Sequence, residues 1–309
     1  MLVKNKHFKL NESQFEAVLS CFHKIHYEEE PSLGLIWGPP GTGKTKTTRT
    51  LLFTLLGRNY RTLTCAPTNV AITEVGSRLV KMVFDDQPDA LFCSLGNILL
   101  FGNNVRLKVG SDIQDIFLDY RVQKITECLG PLTGWRHCFA SMISFFEDCV
   151  SQYLVFLENE MIKEREQSSG CEIKEEGIRS KTTKVGTRRA KSFLEFVRER
   201  FVYSASPLRR CISIFCTHMA KNYISEECLQ NMVSLFSLID SFETMLFQDN
   251  VVSEELEEDF SRPDVVEDFP ESFVDEQSVL CIRRSECLSV LRTLQKLSWW
   301  TWPAKFYEP

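Results

Sequence analysis

The chain has 309 residues, 43% of them hydrophobic and 25% charged, with a formal net charge of −6. That length can bury a sizeable core and hold two domains, and the balance is that of a globular protein rather than a disordered or fibrous one. A net negative charge excludes a global basic field, so any contact with nucleic acid must use a local patch.

Lys4, Lys6, His7 and Lys9 interrupt the start, and no apolar run is long enough to span a bilayer, so neither a signal peptide nor a membrane segment is expected. The 12 cysteines form no C-x-x-C pairs, which points to reduced thiols in the nucleus or cytosol.

Asn11 and Gln14 have the spacing of a helix cap and its reciprocal side chain, ahead of Phe15, Val18, Leu19, Phe22 and Ile25 on one helical face. Gln14 has a second reading, because a carboxamide can donate to and accept from an adenine edge together. Leu33 to Trp37 is a short apolar run, predicted as a buried strand. Gly38-Pro39-Pro40-Gly41-Thr42-Gly43-Lys44-Thr45 follows and fills every position of G-x-x-x-x-G-K-[ST], with a helix after it. Glycines let backbone N–H groups converge on an anion at a helix N-terminus. Lys44 would reach the β- and γ-phosphates of a nucleoside triphosphate, and the Thr45 hydroxyl would ligate Mg²⁺; Lys46 follows in the same turn. The expected phosphate site is therefore Gly38 to Thr45 and Lys46, with Lys44 and Thr45 carrying the chemistry, while Gln14 at this point is better explained as the helix cap.

Thr47 to Leu56 continues the helix, and Gly57 ends it. Arg61 to Ala66 is rich in β-formers, stops at Pro67, and is predicted as a second strand. Pro67-Thr68-Asn69 is a turn feeding a helix with Val70, Val75, Leu79 and Val83 as its apolar positions. Strand, helix, strand, helix with short loops predicts an α/β fold: a parallel sheet with helices on both faces. Thr68 and Asn69 then lie at the carboxyl edge, where ligands bind in such sheets. Turn chemistry and helix capping explain the same two residues without a ligand.

The trio Leu10-Asn11-Glu12-Ser13-Gln14, Gly38 to Thr45, and Cys65-Ala66-Pro67-Thr68-Asn69-Val70-Ala71 resembles the first three motifs of superfamily 1 RNA/DNA helicases. The branch it is most similar to holds the nonsense-mediated-decay helicase and senataxin, and the long insertion that follows resembles its plant senataxin-like members. The resemblance implies a RecA-like P-loop sheet, Gln14 on adenine, and Pro67, Thr68 and Asn69 on the backbone of single-stranded RNA or DNA. It also implies a nuclear or cytoplasmic location.

Asn97 to Phe101 is predicted as a further strand, followed by Gly102-Asn103-Asn104 instead of an acidic pair. Arg106 and Lys108 lead to Ser111, a plausible cap for a helix with Ile113, Ile116, Phe117 and Tyr120. A long helix is predicted from beyond Gly134 to about Met161, with Phe139, Met142, Ile143, Phe146, Val150, Tyr153, Leu154 and Leu157 as a core-facing stripe. Two or three helices are expected over Phe193 to Tyr223 and Glu227 to Phe247. Cys211, Cys216 and His218 lack the paired spacing of a zinc site and sit among core-like residues. A last helix carries Val279, Leu280, Ile282, Leu288, Leu291 and Leu294, before Trp299-Trp300-Thr301-Trp302-Pro303.

These readings divide the chain into a P-loop part (1–110), a helical extension (111–162), a disordered linker (163–191), a mostly helical insertion (192–249), an acidic linker (250–276), and a terminal helix with an apolar tail (277–309). The linker's basic end (Lys181, Lys184, Arg188, Arg189 and Lys191) is read as a solvated tether, with nuclear targeting or phosphate contact as the other option. Hydrolysis also needs an acidic pair at a strand end and a cationic finger. Asp275-Glu276 is the only pair in that order, and Pro270, Glu271 and Ser272 interrupt any strand before it. The expectation is thus the ATP-binding part of a helicase, with little or no turnover of its own. The alternatives are a non-catalytic nucleotide-binding module, with the insertion as a protein-partner surface, and an AAA-type ATPase.

Overall fold

The computed structural model describes residues 9–27, 32–87, 91–131, 133–169, 191–220, 223–262 and 278–296. Over these residues the chain is helical: α1 (Glu12–Tyr27), α2 (Lys44–Leu56), α3 (Asn69–Asp86), α4 (Asn104–Leu107), α5 (Leu118–Leu129), α6 (Trp135–Ser169), α7 (Phe193–His218), α8 (Glu226–Leu246), α9 (Ser253–Ser261) and α10 (Val279–Lys296), with a 3-10 turn at Gln114–Ile116. They fall into two compact units. One comprises Met1–Thr126 and Ile214–Tyr223, the other Glu127–Ser213 and Ile224–Pro309.

The first unit holds the three motifs. Asn11 caps α1, Gly43 opens α2, and Thr68 caps α3 with its hydroxyl accepting from the Ala71 N–H. Helix α2 packs between α1 and α3. Val80 and Val83 of α3 join Leu95, Leu100, Leu107, Ile113, Ile116 and Phe117 in one apolar core. Beside it the buried Arg121 guanidinium donates to the carbonyls of Leu95, Gly96, Ile98 and Asp115 at 2.8–3.1 Å. That satisfies the polar backbone of an irregular loop that would otherwise be costly to bury.

The α/β expectation is overturned here. Among the described residues there is no β-strand and no RecA-like parallel sheet; the sole ladder element is an isolated parallel bridge between Leu100 and Phe117. Residues 32–39, 60–66 and 97–99 have neither helix nor ladder. Leu33 and Trp37, placed in a buried strand by the sequence, are 93% and 84% exposed, and Leu63 is 76% exposed. The physical reason is pairing. Parallel strands persist when neighbours satisfy both edges and helices cover both faces, and these segments have no such neighbours among the described residues. An apolar groove of about 670 Å³ lies beside them, lined by Ile72, Val75, Leu99 and Leu100 among others.

The second unit is organised by aromatic side chains. Phe139, Phe145 and Phe146 of α6 are buried with Phe201 of α7, Phe242 of α8 and Phe260 of α9. Phe146 meets Phe242 edge to face at 5.2 Å and 88°, and Phe145 meets Phe201 at 5.7 Å and 62°, the arrangement ring quadrupoles favour. Helix α10 packs against α8 and α6. The core-facing stripe of α6 is rotated from the expected one: Phe145 points inward and Leu154 is exposed. Helix α6 also runs past Met161 to Ser169. Helix α9 forms in the stretch read as an acidic linker, because Leu256 and Phe260 turn inward while Glu254 and Glu255 face solvent. Lys181, Lys184, Arg188, Arg189, Asp275-Glu276 and Trp299–Pro303 lie outside the described residues. Among the described residues no helix is long and apolar enough to cross a membrane.

Candidate nucleotide site and nucleic-acid edge

The glycine loop is shaped by conformations that other residues resist. Gly41 and Gly43 both stand at φ +83°, in the left-handed region where a Cβ is penalised. The loop closes on itself, with the Thr42 hydroxyl donating to the Pro39 carbonyl at 2.8 Å. Lys44 Nζ donates to the carbonyls of Gly38 and Pro39, the latter at 2.8 Å. The N–H groups of Gly41, Gly43, Lys44 and Thr45 have no hydrogen-bond acceptor among the described residues. They head the 13-residue helix α2, whose dipole adds positive potential at that end. Lys44 and Thr45 are exposed. Unpaired amide donors, an ammonium and a hydroxyl at one helix start fit a polyphosphate with its Mg²⁺.

Gln14 spans two motifs. Its Oε1 accepts from the Asn11 N–H at 3.2 Å, closing the capping box, and its Nε2 donates to the Thr42 carbonyl at 2.9 Å. The structure thus places Gln14 against the phosphate loop through a side chain that also caps α1. Lys46 points elsewhere, onto the Lys9 carbonyl.

Pro67, Thr68 and Asn69 are all exposed at the start of α3. Thr68 is engaged as the cap, and Asn69 Nδ2 donates to the Arg106 carbonyl at 3.1 Å. That bond brings a basic loop to the α3 start. Asn103 caps α4, Leu107 is buried as an anchor, and Arg106 and Lys108 are exposed with no side-chain partner among the described residues. The sequence reading gave neither cation a role. Their signal was two basic residues directly after a Gly-Asn-Asn turn.

His218 of the discarded zinc trio is buried in the first unit, its Nδ1 3.2 Å from the Asp115 carbonyl and its ring edge-on to Tyr120. Burial holds its pKa below the ordinary histidine value; Arg121 and Lys124 act in the same direction, against Asp115. Among the described residues no group of three or more His, Cys, Asp or Glu is arranged to hold a metal.

With this geometry the chain falls in a class of P-loop proteins: it belongs to the family described as "AAA domain", which matches residues 9–232. Within that class it is a member of the superfamily 1 branch holding the nonsense-mediated-decay helicases and senataxin. It is 27% identical over 175 residues to "Helicase sen1" of Schizosaccharomyces pombe, covering 48% of this chain and 10% of the relative. It is 43% identical over 72 residues to "ATP-dependent helicase NAM7" of Saccharomyces cerevisiae, covering 23% and 7%. Over 132 residues it is 30% identical to "Probable helicase senataxin" of Homo sapiens, covering 36% and 5%. The chain therefore aligns with a tenth or less of these relatives' length. No solved structure matches it.

Proposed function

We propose that this chain is the nucleotide-binding part of an ATP-dependent helicase acting on single-stranded RNA or DNA, in the nucleus or cytoplasm. The observation that carries the reading is the set of unpaired amide donors of Gly41, Gly43, Lys44 and Thr45 at the head of α2. Magnesium–ATP, when bound, supplies the phosphoanhydride whose cleavage drives such motors. Lys44 would exchange the carbonyls of Gly38 and Pro39 for phosphate oxygens, a side-chain movement that leaves the loop in place. Thr45 would offer its hydroxyl to Mg²⁺. Gln14 would meet the adenine from the anchored end of α1, and its bond to Thr42 would transmit nucleotide arrival to that helix. Thr68 and Asn69, with Arg106 and Lys108 beside them, would hold the phosphates of a single strand.

Turnover by this chain alone is proposed to be slow. Gly102-Asn103-Asn104 stands where the resemblance would put the acidic pair that holds Mg²⁺ and orients water. The test is a titration of the full chain with a fluorescent ATP analogue, with and without Mg²⁺, beside Lys44→Ala. Binding that depends on Mg²⁺ and weakens at least ~10-fold in the variant is expected. Equal binding by the two proteins, or none by either, would remove the nucleotide reading. ATP turnover with and without single-stranded RNA then separates a working motor from a binding module.

A further inference from the structure

Three cysteines distant in sequence converge in the second unit. Cys128 is one residue from the end of α5, Cys138 lies in the first turns of α6, and Cys211 is on α7. They are 1%, 2% and 5% exposed. Cys138 and Cys211 stand with their Sγ atoms 3.8 Å apart, and Cys211 is within hydrogen-bonding reach of Cys128 as well. The turn between α5 and α6 sets this up. Gly134 donates its N–H to the Gly130 carbonyl at 2.8 Å, and a Cβ on Gly134 would come 2.3 Å from that same oxygen. Only a glycine there lets the two helix ends approach closely enough for Cys128 and Cys138 to share one partner. Burial as small hydrophobes is the usual fate of such residues, and Cys149, Cys228 and Cys287 meet it one by one. Here three thiols share a single spot with Cys211 in contact with both others.

We infer that Cys128, Cys138 and Cys211 form an oxidative modification site, which takes a small hydroperoxide and closes to one disulfide through Cys211. The three thiols are not electrostatically alike. The Cys211 contact holds the Cys128 thiol below its ordinary value, helped by the Arg210 guanidinium, which is ion-paired to Glu127. Cys211 is pushed up to about 12 by the same contact and by burial, and Cys138 is raised as well. Burial pushes Cys149 and Cys287 up to about 12 and Cys228 up to about 11. Of the three, Cys128 is the one whose surroundings shift it toward the thiolate, the reactive form.

In the first step the Cys128 thiolate attacks one oxygen of hydrogen peroxide. An S–O bond forms, the O–O bond breaks, and the departing hydroxide takes a proton to leave as water. In the second step Cys211 sulfur attacks the Cys128 sulfenic acid. The S–S bond forms, the S–O bond breaks, and the hydroxyl leaves as water with the Cys211 proton. Two thiols lose two electrons and two protons, and one peroxide is reduced to two waters. Cys138 can then attack Cys211, forming Cys138–Cys211 and returning Cys128 as a thiol. Closing a 3.8 Å gap to a bond of roughly 2.0 Å is within side-chain rotation for correctly spaced residues. Either product contains Cys211, and one thiol of the three always remains.

The experiment treats the folded full chain with hydrogen peroxide, alkylates with N-ethylmaleimide under denaturing conditions, and maps unreduced peptides by mass spectrometry. One disulfide per chain is expected, joining Cys211 to Cys128 or Cys138. Cys149, Cys228 and Cys287 should be alkylated, and the Cys211 links should exceed those in a chain unfolded in urea before oxidation at least ~10-fold. Cys138→Ser should still form Cys128–Cys211, whereas Cys211→Ser should form neither link. If circular dichroism shows Cys211→Ser unfolded, the native chain and Cys138→Ser decide. Full alkylation of all three thiols at doses that oxidise the exposed Cys65 would overturn the site. Links from Cys211 to Cys149, Cys228 or Cys287 at similar frequency would overturn it too.

Discussion

Gly41 and Gly43 share a backbone angle but not a neighbourhood. A Cβ at Gly41 would meet nothing within 4 Å, whereas one at Gly43 would fall 2.6 Å from Gln14 Nε2. Gly41→Ala should cost about 1–2 kcal/mol from the left-handed conformation alone. Gly43→Ala should cost about 2–3 kcal/mol, because it also displaces the Gln14 amide from Thr42. Urea unfolding measures both, and equal losses would mean that the Gln14 bond contributes nothing. His218 gives the residue scale a pH dependence. Its folded pKa is lowered by burial, so below about 6.5 the unfolded chain takes up a proton that the folded one resists. Stability should be flat with respect to this group above that pH and fall as pH drops through it. His218→Gln should flatten the slope between pH 7 and pH 5, read as denaturation midpoints across that range. An unchanged slope would assign the acid sensitivity elsewhere.

At the scale of elements, helix existence was legible and helix phase was less so. The terminal helix shows why. The sequence reading gave this helix Val279, Leu280, Ile282, Leu288, Leu291 and Leu294 as its apolar residues without a face; Val279 and Ile282 are exposed, and Cys281, Arg284 and Cys287 are buried with Leu288, Leu291 and Leu294. Reading cysteine as a small hydrophobe would have recovered that face. The stripe of α6 shifts for the same reason, with Cys138 and Cys149 inside. Arg284 was not legible at all, because what rewards its burial is assembled from three places. Its guanidinium donates to the carbonyls of Phe146, Asp259 and Arg262 at 2.8–3.1 Å, joining α10 to α6 and to the end of α9. Arg284→Met would leave those buried acceptors without this donor, and a loss of about 3 kcal/mol in urea unfolding is expected. Arg292→Met, which breaks the exposed pair with Glu147, should cost under about 1 kcal/mol. Comparable losses would show that the carbonyl bonds of Arg284 are not what holds α10 in place.

For the molecule as a whole, the three motifs were legible because each is local: a cap, a glycine loop and a turn are written in consecutive residues. The sheet was misread because a strand is defined by its neighbours, and Leu33 to Trp37 finds none among the described residues. The basic loop was missed for a related reason, since only the bond from Asn69 to Arg106 shows that it belongs beside the α3 start. This bears on the proposed function, because a chain with a net charge of −6 would hold a polyanion against its own field. Local cations then govern affinity, and counterion release makes their contribution measurable. Each phosphate contact on a single strand adds about 0.7 to the slope of log affinity against log salt. With Arg106 and Lys108 both replaced by alanine, binding of the full chain to a single-stranded RNA should weaken, and the slope should shrink by about 1.4. Fluorescence anisotropy from low to moderate salt measures both quantities. Weaker binding with an unchanged slope would mean that the two residues shape the loop without touching phosphate, and unchanged binding would move the strand to another face of the unit.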